Sequence, residues 1–181
     1  MDFGREKGVF PLVLIQVKSA AKRTVFGLKN KREKTFLPFK TQLFHIQVVR
    51  YAFRNIDILE HDEDDVPYQG CMAIDAGDRN RVKNILFEDI RVESIQEGKL
   101  FHINIRFNPK YDKQPGQSID GVTFRNIIYN GVGENPSLIK GLDKERMVRN
   151  ITFENVVVNG EKIKDLKGFI TNEYIEGIKI K

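Results

Sequence analysis

Hydrophobic and polar positions alternate along short stretches of this chain, and four of the stretches are near copies of one another. They are Ala52-Phe-Arg-Asn-Ile-Asp-Ile, Leu86-Phe-Glu-Asp-Ile-Arg-Val, Thr123-Phe-Arg-Asn-Ile-Ile-Tyr and Thr152-Phe-Glu-Asn-Val-Val-Val. Each places a Phe (Phe53, Phe87, Phe124, Phe153) two residues before an Asn or Asp (Asn55, Asp89, Asn126, Asn155). The phenylalanines are 34, 37 and 29 residues apart, an irregular period of the size expected for stacked repeats. Within a repeat the apolar residues alternate as in a strand, and the alternation changes phase at the Asn or Asp.

Shorter strand signals lie between them: Cys71-Met-Ala-Ile-Asp-Ala, Leu100-Phe-His-Ile-Asn-Ile-Arg-Phe and Ser137-Leu-Ile-Lys-Gly-Leu. Each repeat thus reads as one lone strand followed by two strands joined at the Asn or Asp bend. Three short strands per turn describe an all-β right-handed parallel β-helix of about three to four coils over residues 47–181. Asn and Asp tolerate left-handed backbone at the bends, and stacked copies form amide and aromatic ladders. The Phe and Asn residues are therefore core and corner residues, not ligands. An antiparallel sandwich fits less well. Asn130-Gly131 and Asn159-Gly160 each follow the same strand of the repeat, so they are expected to end coil segments.

At 181 residues the chain suits one domain with an appendage. The longest apolar run, Val9-Phe-Pro-Leu-Val-Leu-Ile-Gln-Val, is too short for a membrane span. Glu6 and Pro11 also make it a poor signal peptide. Location is left open between a cytoplasmic and a secreted bacterial protein. Cys71, the single cysteine, excludes an intrachain disulfide and reads as a buried, inert thiol. Charge is uneven: residues 1–46 carry 10 Lys/Arg against 3 acids, leaving 20 against 22 for the rest. This quarter also lacks the repeat, so 1–46 reads as a basic segment that caps the β-helix or is poorly ordered. No nucleic-acid partner is expected, because its few aromatics show no stacking arrangement.

The segments Asn84-Ile-Leu-Phe-Glu-Asp-Ile-Arg-Val-Glu, Ile119-Asp-Gly-Val-Thr-Phe-Arg-Asn-Ile and Val148-Arg-Asn-Ile-Thr-Phe-Glu-Asn-Val-Val-Val-Asn-Gly carry a resemblance. They resemble the C-terminal coils of pectin-lyase-like β-helix glycoside hydrolases, the group holding polygalacturonases and dextranase-like enzymes. The resemblance implies a carbohydrate-active protein corresponding to the C-terminal part of such an enzyme. It departs from the polygalacturonase pattern: Asn-Thr-Asp and Gly-His-Gly are absent, and Asp64-Asp65 falls in a loop. The catalytic coils are accordingly expected to be missing or replaced by 1–46.

Glycoside hydrolysis uses two carboxyl groups, roughly 5–5.5 Å apart for retention and roughly 6.5–9.5 Å apart for inversion. Two places offer them. The acidic loop His61-Asp-Glu-Asp-Asp supplies Asp64 and Asp65, with His61 able to assist proton transfer. The second is the outer face of the lone strands. If Met72 and Ile74 point inward, Asp75 points outward, with Asp78 just beyond. On the next coils His102, Asn104, Arg106 and Lys140 share that face. This exposed polar strip would hydrogen-bond sugar hydroxyls, with Arg106 and Lys140 on a uronate and Tyr68, Phe107 and Tyr111 stacking on rings. Asp64, Asp65 and Asp75 are thus the catalytic candidates; His61, Asp78, His102, Asn104, Arg106 and Lys140 are the substrate-binding ones. His45 takes no role.

Three functions follow in order: a glycoside hydrolase or its C-terminal part, a non-catalytic carbohydrate-binding or scaffold β-helix, and a basic-armed protein binding an anionic partner. The expected partner is a polysaccharide or oligosaccharide, with no membrane and with self-association through the open β-helix end. No cofactor or metal is required, although Asp62, Asp64 and Asp65 could supply calcium oxygens.

Overall fold

The computed structural model describes residues 13–17, 47–62, 70–110, 112–131 and 135–181. The chain is an all-β parallel solenoid of about three turns. Each turn contributes one long and one short strand. The long strands are β2 (Gln47–Ile58), β4 (Arg81–Val92), β6 (Ser118–Tyr129) and β8 (Val148–Val158). They pair in parallel in chain order, with Phe53, Phe87, Phe124 and Phe153 at one register position. The short strands β3 (Met72–Ala76), β5 (Phe101–Ile105), β7 (Leu138–Lys140) and β10 (Ile170–Thr171) form the facing sheet in the same way.

The corners explain how a 12-residue strand can bend around a core. Asn55, Asp89, Asn126 and Asn155 all have left-handed backbone, with φ between 52° and 55°. A second left-handed row lies five residues upstream: Arg50 (φ 71°), Asn84 (54°), Gly121 (77°) and Asn150 (55°). Each long strand is therefore three straight segments, one more than its sequence suggests. Left-handed backbone costs about 1–2 kcal/mol for an ordinary side chain. Asn and Asp offset it by bonding between coils. Asn126 Nδ2 donates to Asp89 Oδ1 at 2.8 Å, and Asn155 Nδ2 donates to Asn126 Oδ1 at 2.9 Å.

The phenylalanines form a continuous stack in the interior. Ring centroids are 5.0, 5.2 and 5.2 Å apart from Phe53 through Phe87 and Phe124 to Phe153, with planes within 15° of parallel. Phe101, on the facing sheet, tilts onto Phe124 at 4.4 Å. Phe87, Phe101, Phe124 and Phe153 are fully buried, each contributing about 1.5–3 kcal/mol through apolar burial. Outside, the residues following these rings alternate in charge. Arg54 meets Glu88 at 2.6 Å, and Arg125 meets Glu88 at 2.8 Å and Glu154 at 3.1 Å.

The two ends are finished differently. Upstream, β1 (Val13–Val17) pairs antiparallel with β3, so this part of the basic segment adjoins the short-strand sheet. The remaining residues of 1–46 lie outside the described residues, as does His45. Downstream, Asn159 and Gly160 make a two-residue hairpin from β8 into β9 (Glu161–Lys162), both with positive φ. Asn159-Gly160 therefore reverses the chain rather than merely ending a coil. β11 (Ile175–Glu176) and β12 (Lys179–Ile180) then return to β8 in parallel as a partial coil. Gly177, between them, repeats the left-handed corner beside Asn150. No helix long and apolar enough to cross a membrane occurs among the described residues.

Candidate functional site

The short-strand sheet brings the predicted polar residues onto one face. Alternation sends Met72, Ile74, Phe101, Ile103 and Ile139 to the core, where all are buried. Asp75, His102, Asn104 and Lys140 take the opposite side. Parallel register sets Asp75 beside Asn104 and Asn104 beside Lys140, with His102 beside Ala73. Asp75 Oδ1 accepts a hydrogen bond from Asn104 Nδ2 at 3.2 Å and lies 3.2 Å from His102 Nε2.

The strip is covered, contrary to its expected exposure. Asp75 is 1% exposed and His102 is fully buried, while Asn104, Arg106 and Lys140 are half-buried at the rim. Phe107, next to Arg106, is 45% exposed. A cover crosses the end of β3 through residues 112–116. Pro115 bridges Gly77, Arg79 N–H donates to Pro115 O at 2.9 Å, and Asp78 N–H donates to Gln114 O at 2.8 Å. Asp78 Oδ1 accepts the N–H groups of Lys113 (2.6 Å) and Gln114 (3.1 Å). Asp78 therefore clasps this segment from a 7% exposed position, which accounts for its side chain without a sugar. Gly116 lies so close to β3 that a Cβ would drive into the Ala76 carbonyl oxygen.

Asp112 joins this site, and the sequence reading missed it. Its Oδ2 accepts from Asn108 N–H at 2.8 Å, its Oδ1 lies 3.7 Å from Arg106 Nη2, and it is 3% exposed. It sits above Gly77, where a Cβ would lie 2.6 Å from Oδ1. Burial pushes the Asp112 carboxyl above the ordinary aspartate range. Asn108 N–H and Arg106 pull it back, and the charges of Asp78 and Asp75 add to the rise. The signals available in the sequence were the turn-forming Asn108-Pro109 and Pro115-Gly116 on either side. Neither says what the intervening carboxyl touches. Among the described residues, Asp75 Oδ2 and His102 Nδ1 are buried without a hydrogen-bond partner.

The other predicted residues are elsewhere or beyond description. His61 is buried at the corner after β2, bridging Ile95 after β4 through its backbone. Asp64, Asp65, Tyr68 and Tyr111 lie outside the described residues. No three His, Cys, Asp or Glu side chains come together as a metal-holding group among the described residues. Cys71 is buried, and burial pushes its thiol up to about 12, consistent with an inert thiol. A separate cavity of about 210 Å³ opens near Phe101, Tyr129, Ile163, Lys167 and Phe169, and contains none of the predicted site residues. Compared with protein families, curated proteins and solved structures, the chain matches none.

Proposed function

We propose that this β-solenoid is carbohydrate-active, gripping an oligosaccharide at the rim formed by Asn104, Arg106, Lys140 and Phe107. One observation carries the reading. A polar row that begins with the buried Asp75 and His102 continues to the half-buried Asn104, Arg106 and Lys140, and Phe107, next in the chain after Arg106, is exposed. Amide and charged donors match sugar hydroxyls, while an exposed ring provides an apolar face for stacking. The resemblance to β-helix glycoside hydrolases points the same way.

A second reading, hydrolysis of the bound sugar, draws on Asp75 and Asp112. Asp112 overlies Gly77, two residues beyond Asp75 on the same face. The Asp75 charge bears on the Asp112 carboxyl, as in the close carboxyl pairs that hydrolysis uses. An acid held above its usual range beside an ionisable partner suits general acid–base work. Both carboxyls are buried, however, so gripping ranks ahead of hydrolysis.

Titration calorimetry against oligogalacturonate, a rhamnogalacturonan fragment, isomaltotriose and maltotriose tests the grip. At least one sugar binds, and Lys140→Ala and Phe107→Ala each weaken it. Absence of binding, or a binder indifferent to both substitutions, refutes the reading. Reducing-sugar release that vanishes in both Asp75→Asn and Asp112→Asn establishes hydrolysis.

A further inference from the structure

One inward row of the long strands loses its cover at the upstream end. Tyr51 shares a register position with Ile85, Val122 and Ile151. Those three are at most 1% exposed, whereas Tyr51 is 43% exposed. Phe53 is likewise only partly buried, while Phe87, Phe124 and Phe153 are fully buried. Its ring stacks on Phe87 alone, although Phe87 and Phe124 each carry a stacked ring on both sides. Tyr51 and Phe53 belong to β2, the last strand of its sheet, whose 12 residues pair with β4 alone among the described strands. An edge of that length offers its outer row of N–H and C=O groups as a template for a further strand. The downstream end differs, because β9, β11 and β12 lie along β8.

The outward residues of β2 add a charge pattern to this edge. Arg125, inside the charged row, meets an acid on each side, Glu88 at 2.8 Å and Glu154 at 3.1 Å. Arg54 meets Glu88 at 2.6 Å on the β4 side and, among the described residues, no acid on the other. Three residues on, Asp57 meets Arg91 of β4 at 3.0 Å. The Arg54 and Asp57 side chains are 55% and 62% exposed. We propose that the outer edge of β2 docks a strand of a partner polypeptide in parallel, and that this strand reads aromatic, acid, Asn or Asp, apolar, base. That is the pattern of Phe87-Glu-Asp-Ile-Arg in β4, which already fits the other edge of β2. Such a strand adds a ring to the Phe53 stack, covers Tyr51, and sets an acid beside Arg54 and a base beside Asp57. Main-chain hydrogen bonds supply the affinity and the side chains the specificity. A second copy of this chain lacks the pattern at its downstream end. Ile180 takes the Phe153 position there and Lys181 follows it, so stacked copies would bring Lys181 against Arg54. The docking edge lies on the long-strand sheet and is independent of the sugar-binding rim.

The test adds a synthetic peptide copying Arg81–Val92 to the whole chain and follows its amide NMR shifts. Tyr51, Phe53 and Arg54 should shift and saturate, while Asn104 and Lys140 on the short-strand sheet stay in place. A second peptide, carrying Glu88→Arg and Arg91→Glu, keeps every apolar residue and reverses the two charges. It should bind on the order of threefold to tenfold more weakly, the size of two exposed ion pairs. Arg54→Gln/Asp57→Asn in the chain alters only exposed side chains, and should make the two peptides equal. Still β2 amides with both peptides overturn the proposal, as does equal affinity for the two in the wild type. Slow hydrogen exchange at the β2 amides that do not bond to β4, measured without peptide, would show the edge already covered and would overturn it too. A dimer seen by sedimentation that the peptide does not dissociate would give the edge to a second copy, against the partner proposed.

Discussion

Asn126 Nδ2 donates to Asp89 Oδ1 at 2.8 Å across neighbouring coils, and both residues hold left-handed backbone at the same corner. The bond links two features that would be unfavourable separately. Each side chain tolerates the strained φ, and each satisfies its neighbour one coil away.

Asn126→Ala should therefore lose both the tolerance and the ladder, destabilising the chain by roughly 2 kcal/mol. Asn126→Gly keeps the backbone freedom and should lose about half as much. Urea midpoints of the two variants check the order. Equal losses would show that the corner bond, and not the backbone angle, dominates.

Phe124 lies between Phe87 and Phe153 in the stack, with Phe101 tilted against it. Phe124→Ala opens a cavity with rings on three sides and should cost about 3–5 kcal/mol. Phe124→Leu fills more of the space and should cost less. Thermal unfolding distinguishes them.

The charge row gives a pH signature. Hydrogen bonding from Arg125, reinforced by Arg54, holds the Glu88 carboxyl below the ordinary glutamate range. A lowered folded-state value stabilises the fold above the unfolded glutamate value, and that contribution disappears as pH falls through the folded one. The stability difference between wild type and Glu88→Gln should be greatest near neutrality and shrink toward pH 3. It should also shrink in 1 M salt, because the row lies at the surface.

Asp112 should behave in the opposite sense. Its carboxyl is raised chiefly by burial, so the folded state favours the protonated form. Its ionisation penalises folding above the folded-state value, and acidification toward the unfolded value relieves that penalty. Asp112→Asn should gain stability relative to wild type near neutrality, with the gain fading below the unfolded aspartate range. Denaturant titrations at pH 7.5 and pH 4 provide the comparison. A gain that grows on acidification would contradict the burial argument.

Much of the solenoid was legible because its repeat is written in identical residue types. Phe recurs at one interior position, and Asn or Asp at one corner. The second corner was not, because Arg50, Asn84, Gly121 and Asn150 share a backbone angle but not a side chain. Alternation correctly assigned Asp75, His102 and Asn104 to the outer side of their strands. Exposure did not follow for Asp75 and His102, which are buried; at the end of β3, residues 112–116 come across from a distant connection that leaves no periodic trace. Asp78 was visible as a polar residue beyond a strand. Its task, accepting two backbone N–H groups from that connection, depends on tertiary contact alone.

Amide chemical-shift mapping during titration with whichever oligosaccharide binds tests the account most directly. The shifts should cluster at Asn104, Arg106, Phe107 and Lys140 and leave the long-strand corners at Asp89 and Asn126 unchanged. Shifts confined to the cavity around Tyr129 and Phe169, or to the charged row at Glu88 and Arg125, would place the ligand elsewhere and contradict the assignment of the short-strand face.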